Sequence, residues 1–401
     1  MPDIAVKPPA SARDPRLDVF RGLALITIFI DHVPGNLYEH FTLRNIGFSD
    51  AAEAFVLMSG ISSGIAYSTA MRTGGAPRWQ GWGRAWTRGW TLYLVHLLIT
   101  LCALGIGAIC ARYLGAPELI WRHGMGLLFS DPLGFLIGVP TLGHQIGYAN
   151  ILPLYAVLML AVPPLLIAAI ARPWALLAGS AVVWFLAAQF RVNLPLYPYD
   201  GGWFLNPFSW QLVFVIGMLT GIRMREGRAL VPSNPVLRGI ALGLLILIAL
   251  WRLWPEFGAA GNHTLWLVSQ AGVPGVFTAF NKTYLYLPRL LNVLLLLYLV
   301  SSIPAIRSAC HSRVLAPIGM LGRHSLPVFA LGSVLAYLVQ GLKEHTGEDV
   351  AWDSLLLGTG LALQFGLAWI RDSWPKAKKP AAAQTPAQAP SQPLHLAPAA
   401  E

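Results

Sequence analysis

Residues 89–111 read GWTLYLVHLLITLCALGIGAICA, a stretch of 23 residues without a charged side chain. A helix rises 1.5 Å per residue, so this stretch is long enough to cross the ~30 Å hydrocarbon core of a bilayer. Similar apolar stretches recur along the chain and predict an all-α fold, a polytopic bundle of transmembrane helices. We count about ten spans, at 19–35, 50–71, 89–111, 150–171, 174–190, 208–222, 238–254, 286–304, 325–342 and 352–371.

The composition of the whole chain supports this fold class. Of its 401 residues, 55% are hydrophobic and 11% are charged, whereas soluble domains carry about 25% charged residues. So few charges cannot cover a globular surface. A water-soluble enzyme, a disordered protein and a fibrous protein are therefore excluded.

The net charge of +10 indicates membrane orientation rather than nucleic-acid binding. The basic residues lie in short segments between the apolar spans, as the positive-inside rule describes. With both termini in the cytoplasm, cytoplasmic segments hold 19 of them and the opposite side holds eight. We therefore expect an even number of spans and both termini in the cytoplasm. Membrane lipids are the expected partners of the spans.

The domain organisation is simple. Residues 1–17 form a polar cytoplasmic segment, 18–372 form the transmembrane domain, and 373–401 form a Pro/Ala-rich tail that is predicted to be disordered. The apolar piece 127–142 is interrupted by Asp131, Pro132 and Pro140 and is predicted to be re-entrant or to lie at the surface.

One basic segment carries four tryptophans at helical spacing. Residues 78–90 place Trp79, Trp82, Trp86 and Trp90 on one helical face, with arginines off that face. This pattern predicts a helix in the headgroup region. The alternative is that its arginines bind the phosphates of a nucleotide-like donor.

Ionisable residues inside a span are costly and are the first place to look for function. The first span carries Asp18, Arg21, Asp31 and His32. Arg21 and His32 are eleven residues apart, almost three helical turns, and so share a face about 16 Å apart. Asp18 and Arg21 have a structural alternative, an ion pair at the membrane edge. His32 is either a helix-end histidine or a group that exchanges a proton near neutral pH.

The second span begins with Asp50 and Glu53, which share a helical face. Both are expected on the same side of the membrane as Asp31 and His32, where one of these carboxylates would orient the imidazole. Further along, Gly60 and Gly64 predict the close approach of another helix.

Other polar residues in the spans are His96, which is expected to pack in the bundle, and Arg323-His324, an interfacial cluster or a functional pair. No metal-ligand spacing, phosphate loop or nucleophile elbow is present. We therefore expect no metal and no tightly bound cofactor.

Several blocks of sequence resemble the OpgC-type family of membrane proteins. The blocks are residues 13–25, 28–34, 47–56 with Ser59-Gly60, 151–155, 206–211 and 321–326. The resemblance implies succinylation of osmoregulated periplasmic glucans in the bacterial inner membrane, and it points to Arg21 and His32 as donor-binding and catalytic residues. The family pattern has Asp, Asp and His where this chain has Asn150, Asn281 and Asn292.

The resulting hypothesis is an integral-membrane O-acyltransferase that uses a cytoplasmic acyl-CoA, succinyl-CoA by the resemblance, as co-substrate and a periplasmic glycan as acceptor. His32 would be the base, oriented by Asp31, Asp50 or Glu53. Donor phosphates would be attracted by Arg21 and Arg323, beside Asp18 and His324, and the acyl carboxylate or the oxyanion would be held by Lys282 or Arg289. The donor would thread its pantetheine arm through the bundle or act through a covalent relay.

The alternative function is a transporter or flippase of a glycan or lipid-linked sugar. Intramembrane charges and aromatic outer loops fit it as well, although no internal repeat is visible in the sequence. The oligomeric state is open.

Overall fold

The computed structural model describes residues 14–72, 78–347 and 349–374. Most of the predicted N-terminal segment 1–17 and nearly all of the predicted disordered tail 373–401 lie outside these residues. Within them the chain is helical, and Pro195 and Gly202 form an isolated β-bridge. The helices are α1 Pro15–Asp31, α2 Leu43–Ile46, α3 Ala51–Met71, α4 Arg78–Tyr113, α5 Glu118–Arg122, α6 Leu127–Ser130, α7 Pro132–Gly138, α8 Ile151–Ala171, α9 Pro173–Gln189, α10 Pro207–Arg225, α11 Pro235–Leu253, α12 Pro255–Gln270, α13 Gly275–Thr278, α14 Leu287–Ser302, α15 Pro304–Cys310, α16 Ala316–Arg323, α17 Ser325–Thr346 and α18 Val350–Ser373.

The protein is a multi-pass membrane protein, with fewer clear spans than the ten predicted. Among the described residues, seven helices are long and apolar enough to cross a bilayer: α3, α4, α8 with its preceding turn, α10, α11, α17 and α18. An eighth span is formed if α14 and α15, bent by 80° at their junction, are counted together. Two other predicted spans coincide with α1 and α9, which have 17 residues each. The count of ten and the sides of the termini stay predictions.

Local sequence explains where several of these helices begin. Asp14, Asn206 and Asn234 each precede a proline, and each side chain accepts a hydrogen bond from a backbone N–H of the first turn at 2.8–3.0 Å. Such caps satisfy amide groups that have no partner inside the helix, and proline is tolerated at the first helical position.

Close helix packing at glycines holds the centre of the bundle together. A Cβ on Gly60 or Gly64 of α3 would lie 2.1 or 2.2 Å from a carbonyl oxygen of α10. The contact is reciprocal, because a Cβ on Gly217 or Gly221 of α10 would lie 2.2 or 2.1 Å from a carbonyl oxygen of α3. The predicted close approach at Gly60 and Gly64 is therefore confirmed, with α10 as the partner.

The tryptophan-rich segment is the first part of α4, which runs unbroken for 36 residues. At the helical rise this is about 54 Å, longer than a bilayer core is thick. Trp79 and Trp90 are exposed, whereas Trp82 and Trp86 are half-buried. The segment is thus continuous with a span.

The apolar piece 127–142 does not form a helix of spanning length. It contains the short helices α6 and α7, separated at Asp131, whose side chain accepts a hydrogen bond from the Gly134 N–H at 2.9 Å. Phe129, Leu133 and Leu136 are exposed. Asp131 lies within this apolar piece and caps α7, which explains why the piece forms two short helices instead of one long helix.

Candidate functional site

Two cavities lie along the same four helices, α1, α3, α8 and α17. The larger, about 320 Å³, is lined by His32 and is called the His32 cavity. The smaller, about 150 Å³, is lined by Arg21 and is called the Arg21 cavity. Because Arg21 and His32 are eleven residues apart, the cavities are offset by about 16 Å along α1.

His32 lies immediately after the last residue of α1, and its ring lines the larger cavity. The ring stacks on Tyr148, with centroids 4.1 Å apart and planes inclined by 21°. Its Nδ1 atom is buried and makes no hydrogen bond to a described residue. The stack therefore fixes the plane of the imidazole, and neither Asp31, Asp50 nor Glu53 hydrogen-bonds to it.

A chain of buried hydrogen bonds supports the backbone of His32. The Gln340 amide on α17 donates to the His32 carbonyl oxygen at 2.6 Å, and the Gln340 carbonyl oxygen lies 2.7 Å from Nε2 of His123. Burial lowers the pKa of His123, which lies in the loop after α5. A neutral His123 that donates from Nε2 fits this chain.

Asp31 also lines the His32 cavity, and it is held by a loop. The Thr42 hydroxyl donates to Oδ1 of Asp31 at 2.7 Å, and both residues are buried. This bond anchors the segment between α1 and α3 against the end of α1.

The four charged residues Asp50, Glu53, Lys282 and Arg289 form a carboxylate–cation cluster at the wall of the His32 cavity. Lys282 donates to Asp50 at 2.5 Å, and Arg289 donates to Glu53 through Nε at 2.7 Å and to Asp50 at 3.2 Å. Glu53 is fully buried. The cations come from segments more than 200 residues further along the chain and neutralise the acidic start of α3.

Asp50 and Glu53 also build the N-terminus of α3. Asp50 accepts from the Ala52 N–H at 2.8 Å, and Glu53 accepts from the Asp50 N–H at 3.0 Å, which forms a capping box. Lys282 and Arg289 both donate to Oδ2 of Asp50, so both cations meet the same carboxylate oxygen. Asp50 is therefore a helix cap whose carboxylate is also bound by two cations.

In the Arg21 cavity, Arg21 donates to the Ser62 hydroxyl at 2.5 Å and to the Met58 carbonyl oxygen at 3.2 Å. Arg88 of α4 and Tyr67 line the same cavity. Asp18 is buried one turn before Arg21. The cavity thus combines two guanidinium groups with serine hydroxyls, a combination that suits phosphate or other anions.

Arg323 and His324 line neither cavity. Both side chains bind Asp372 near the end of α18, at 2.8 and 3.1 Å. The next residue, Ser325, does line the Arg21 cavity. The structure therefore brings this pair near the smaller cavity, with its charges already matched by a carboxylate.

Three packed aromatic rings, those of Phe55, Tyr155 and Phe329, form an aromatic layer that borders the cavities. Ring centroids of Phe55 lie 5.7 Å from Tyr155 and 6.1 Å from Phe329. Phe55 and Tyr155 line the Arg21 cavity, and Phe329 lines both cavities. One buried ring thus stands between the two cavities.

The family model described as "OpgC protein" matches residues 13–376, nearly the whole chain. The chain belongs to the OpgC family. No curated protein and no solved structure matches it significantly. The family membership that the sequence blocks indicated is thereby confirmed.

The asparagines Asn150, Asn281 and Asn292 of this OpgC family member lie in segments that line the His32 cavity. Asn150 lines it. Asn281 accepts a hydrogen bond from the Tyr284 N–H at 3.0 Å, and Asn292 donates to the Ser49 hydroxyl at 2.6 Å. The side chains of Asn281 and Asn292 therefore make hydrogen bonds between uncharged groups.

Sequence reasoning did not select several residues that shape the cavities of this OpgC protein. Arg44 and Tyr148 line the His32 cavity, and Gln340 holds the His32 backbone. Arg88 was considered only as part of a basic segment. Arg44 lies on the four-residue helix α2 and Tyr148 in the helical turn before α8. Segments this short show no periodic pattern in the sequence, so only their positions in space identify these residues. Among the described residues, no cluster of His, Cys, Asp and Glu fits a metal ion.

Proposed function

We propose that this OpgC family protein is an inner-membrane O-acyltransferase. It would take the acyl group, succinyl by the family resemblance, from acyl-CoA at the Arg21 cavity and transfer it to a hydroxyl of a periplasmic glucan or other envelope glycan in the His32 cavity. In this proposal the Arg21 end faces the cytoplasm. The observation that carries it is the pair of cavities on shared helices, one basic and one with a histidine, on either side of Phe329.

The His32 cavity has the groups that acyl transfer to a hydroxyl needs. His32 would accept the hydroxyl proton as the oxygen attacks the thioester carbonyl. The tetrahedral oxyanion would be stabilised by the positive charge of Lys282, which is half-exposed at the cavity. Collapse of this intermediate breaks the C–S bond, and the departing CoA thiolate takes the proton from His32.

The Arg21 cavity would bind the donor. Arg21 and Arg88 offer charge-assisted hydrogen bonds to phosphate groups, and Arg323 and His324 lie close by on the same side of the bundle. A CoA headgroup bound at this end leaves its uncharged pantetheine arm to extend along α1. The arm would pass the aromatic layer and bring the thioester to His32, so that no covalent relay is needed.

Mass spectrometry of periplasmic glycans tests the proposed function. The strains are wild type, a deletion, and the deletion complemented with His32→Ala or with His263→Ala. His263 is an exposed histidine on α12 and serves as the matched control. We expect an acyl mass in wild type and in His263→Ala, and its loss in the deletion and in His32→Ala at equal protein level. Acylation that persists in the deletion would sink the glycan acyltransferase proposal.

Donor binding separates this function from transport. An acyltransferase is stabilised against heat by CoA, because a ligand that binds the folded state raises its unfolding temperature. A transporter of glycans needs no acyl donor. Absence of CoA protection, together with glycan that accumulates inside a deletion strain, would favour the transporter.

A further inference from the structure

Three cations line the His32 cavity, and they are not equivalent. Lys282 and Arg289 each bind carboxylates of the carboxylate–cation cluster. The Arg44 side chain is exposed and makes no hydrogen bond or ion pair to any residue that the structure describes, although it faces the same cavity as His32. An anion that enters this cavity therefore meets one guanidinium whose donors are still available.

The segment that carries Arg44 is held in place. Arg252 of α11 donates to the Arg44 carbonyl oxygen at 3.2 Å. On either side, Thr42 binds Asp31 at 2.7 Å and the Asn45 amide donates to the Glu39 carbonyl oxygen at 2.7 Å. Only the side chain of Arg44 needs to become ordered on binding, which keeps the entropic cost of capture low.

We propose that the Arg44 guanidinium is a carboxylate-binding subsite of the His32 cavity, and that it holds the free carboxylate of the dicarboxylyl group being transferred. This inference rests on the proposed acyltransferase function. The planar guanidinium fork matches a carboxylate with two parallel hydrogen bonds. It would hold the far end of the acyl group while the thioester carbon lies near His32.

Lys282 and Arg289 are poorer candidates for this subsite. Recruiting either one would take a cation from Asp50 or from the fully buried Glu53. A buried carboxylate left without its partner is strongly unfavourable. Arg44 can bind an anion without breaking an existing pair, so discrimination between charged and neutral acyl groups is expected to depend on it.

Comparing two acyl donors of equal chain length in proteoliposomes tests the subsite. Succinyl-CoA carries the terminal carboxylate, and butyryl-CoA lacks it. With a neutral glucan oligosaccharide as acceptor, Arg44→Gln should lower kcat/KM for succinyl transfer about 10- to 100-fold, the range for a lost charge-assisted hydrogen bond. The loss should appear mainly in KM, and butyryl transfer should stay unchanged.

Two further variants make the result specific. Arg112→Gln removes an exposed arginine in the last turn of α4, outside the cavity lining. It should leave transfer from both donors unchanged. Arg44→Lys keeps the charge without the fork and should restore part of the succinyl activity. An equal loss for both donors in Arg44→Gln, or no loss for either, overturns the subsite.

The acceptor is a second source of carboxylates, and it is distinguished by changing the acceptor. If Arg44 binds an anionic glycan, Arg44→Gln lowers transfer to a glucan that already carries succinyl groups, equally for both donors, and leaves transfer to neutral glucan unchanged. That result would overturn the proposed contact with the acyl group and assign Arg44 to the acceptor instead.

A binding measurement decides the subsite even if turnover fails. Monomethyl succinate carries the carboxylate, and dimethyl succinate is its neutral counterpart. Monomethyl succinate alone should raise the unfolding temperature of the wild-type protein, and neither ester should stabilise Arg44→Gln. Equal shifts in wild type and variant would overturn the subsite. If the wild-type protein transfers no acyl group but is stabilised by monomethyl succinate as expected, the proposed function is overturned and the subsite is not.

Discussion

At the residue scale, the polar side chains of the site differ in whether they already have partners in the protein. Those with partners stabilise the fold, and those without are available to bind a substrate. The carboxylates of Asp50 and Glu53 each accept hydrogen bonds from a backbone N–H and from a cation, Lys282 or Arg289. His32 has a stacked ring in the wall of a cavity, and Arg44 has donors without partners among the described residues. The structure shows the Tyr148 stack as the ring contact of His32, and the orienting role of Asp50 and Glu53 stays a prediction.

Breaking the carboxylate–cation cluster is expected to cost stability. Arg289→Met leaves Glu53 buried without its closest cation, and loss of one partner of a buried pair costs about 3–5 kcal/mol. Arg72→Met breaks an exposed pair with Glu226 and should cost about 0–1 kcal/mol. Thermal unfolding of the purified protein in detergent measures both. Equal shifts in the two variants would contradict the buried role of Arg289.

At the element scale, backbone contacts at glycines determine which helices are neighbours. Besides the α3–α10 contact, α1 and α16 meet closely, since a Cβ on Gly22 or Gly322 would lie 2.0 or 1.8 Å from a carbonyl oxygen of the other helix. In membranes, such contacts replace the hydrophobic driving force that water supplies to soluble proteins. They fix α1 and α3, the two helices that carry most of the candidate site residues.

Gly217→Ala is expected to destabilise the bundle. Its Cβ would lie 2.2 Å from the Leu57 carbonyl oxygen, so the two helices must move apart, at the about 1–3 kcal/mol typical of overpacking. Gly243→Ala is the matched control, because a Cβ there meets nothing within 4 Å. Alanine favours a helix, so this control should be neutral or stabilising by about 0.5–1 kcal/mol. Thermal unfolding separates the two, and a neutral Gly217→Ala would contradict the close contact.

At the scale of the whole molecule, the proposed activity depends on continuity between the two cavities. Phe329 is 3% exposed and lines both. Its ring is therefore the natural barrier to a pantetheine arm, and its size should determine what passes.

Phe329→Trp should abolish acyl transfer while CoA still protects the protein against heat. Phe329→Ala should widen the route, so that bulkier acyl groups are accepted and more thioester is lost to water. Acyl transfer and CoA release in proteoliposomes measure both effects. Phe185→Trp, on α9 and outside both cavity linings, is the control and should transfer normally. Normal transfer in Phe329→Trp would refute the direct route and favour a covalent relay.

The sequence by itself determined the fold class, the family and the local elements. Composition and long apolar runs require a membrane helix bundle, because uncharged helices satisfy their backbone hydrogen bonds internally. Neighbouring residues also determined the capping box at Asp50 and Glu53 and the close approach at Gly60 and Gly64. These features depend on spacings of three or four residues, which a sequence displays directly.

Only the tertiary structure decided how distant segments meet. Lys282 and Arg289 pair with the start of α3, Gln340 of α17 holds the backbone of His32, and Arg44 faces the same cavity from the short helix α2. Such contacts join segments that are hundreds of residues apart. Helix packing and loop paths therefore determine them, and no local spacing in the sequence encodes them.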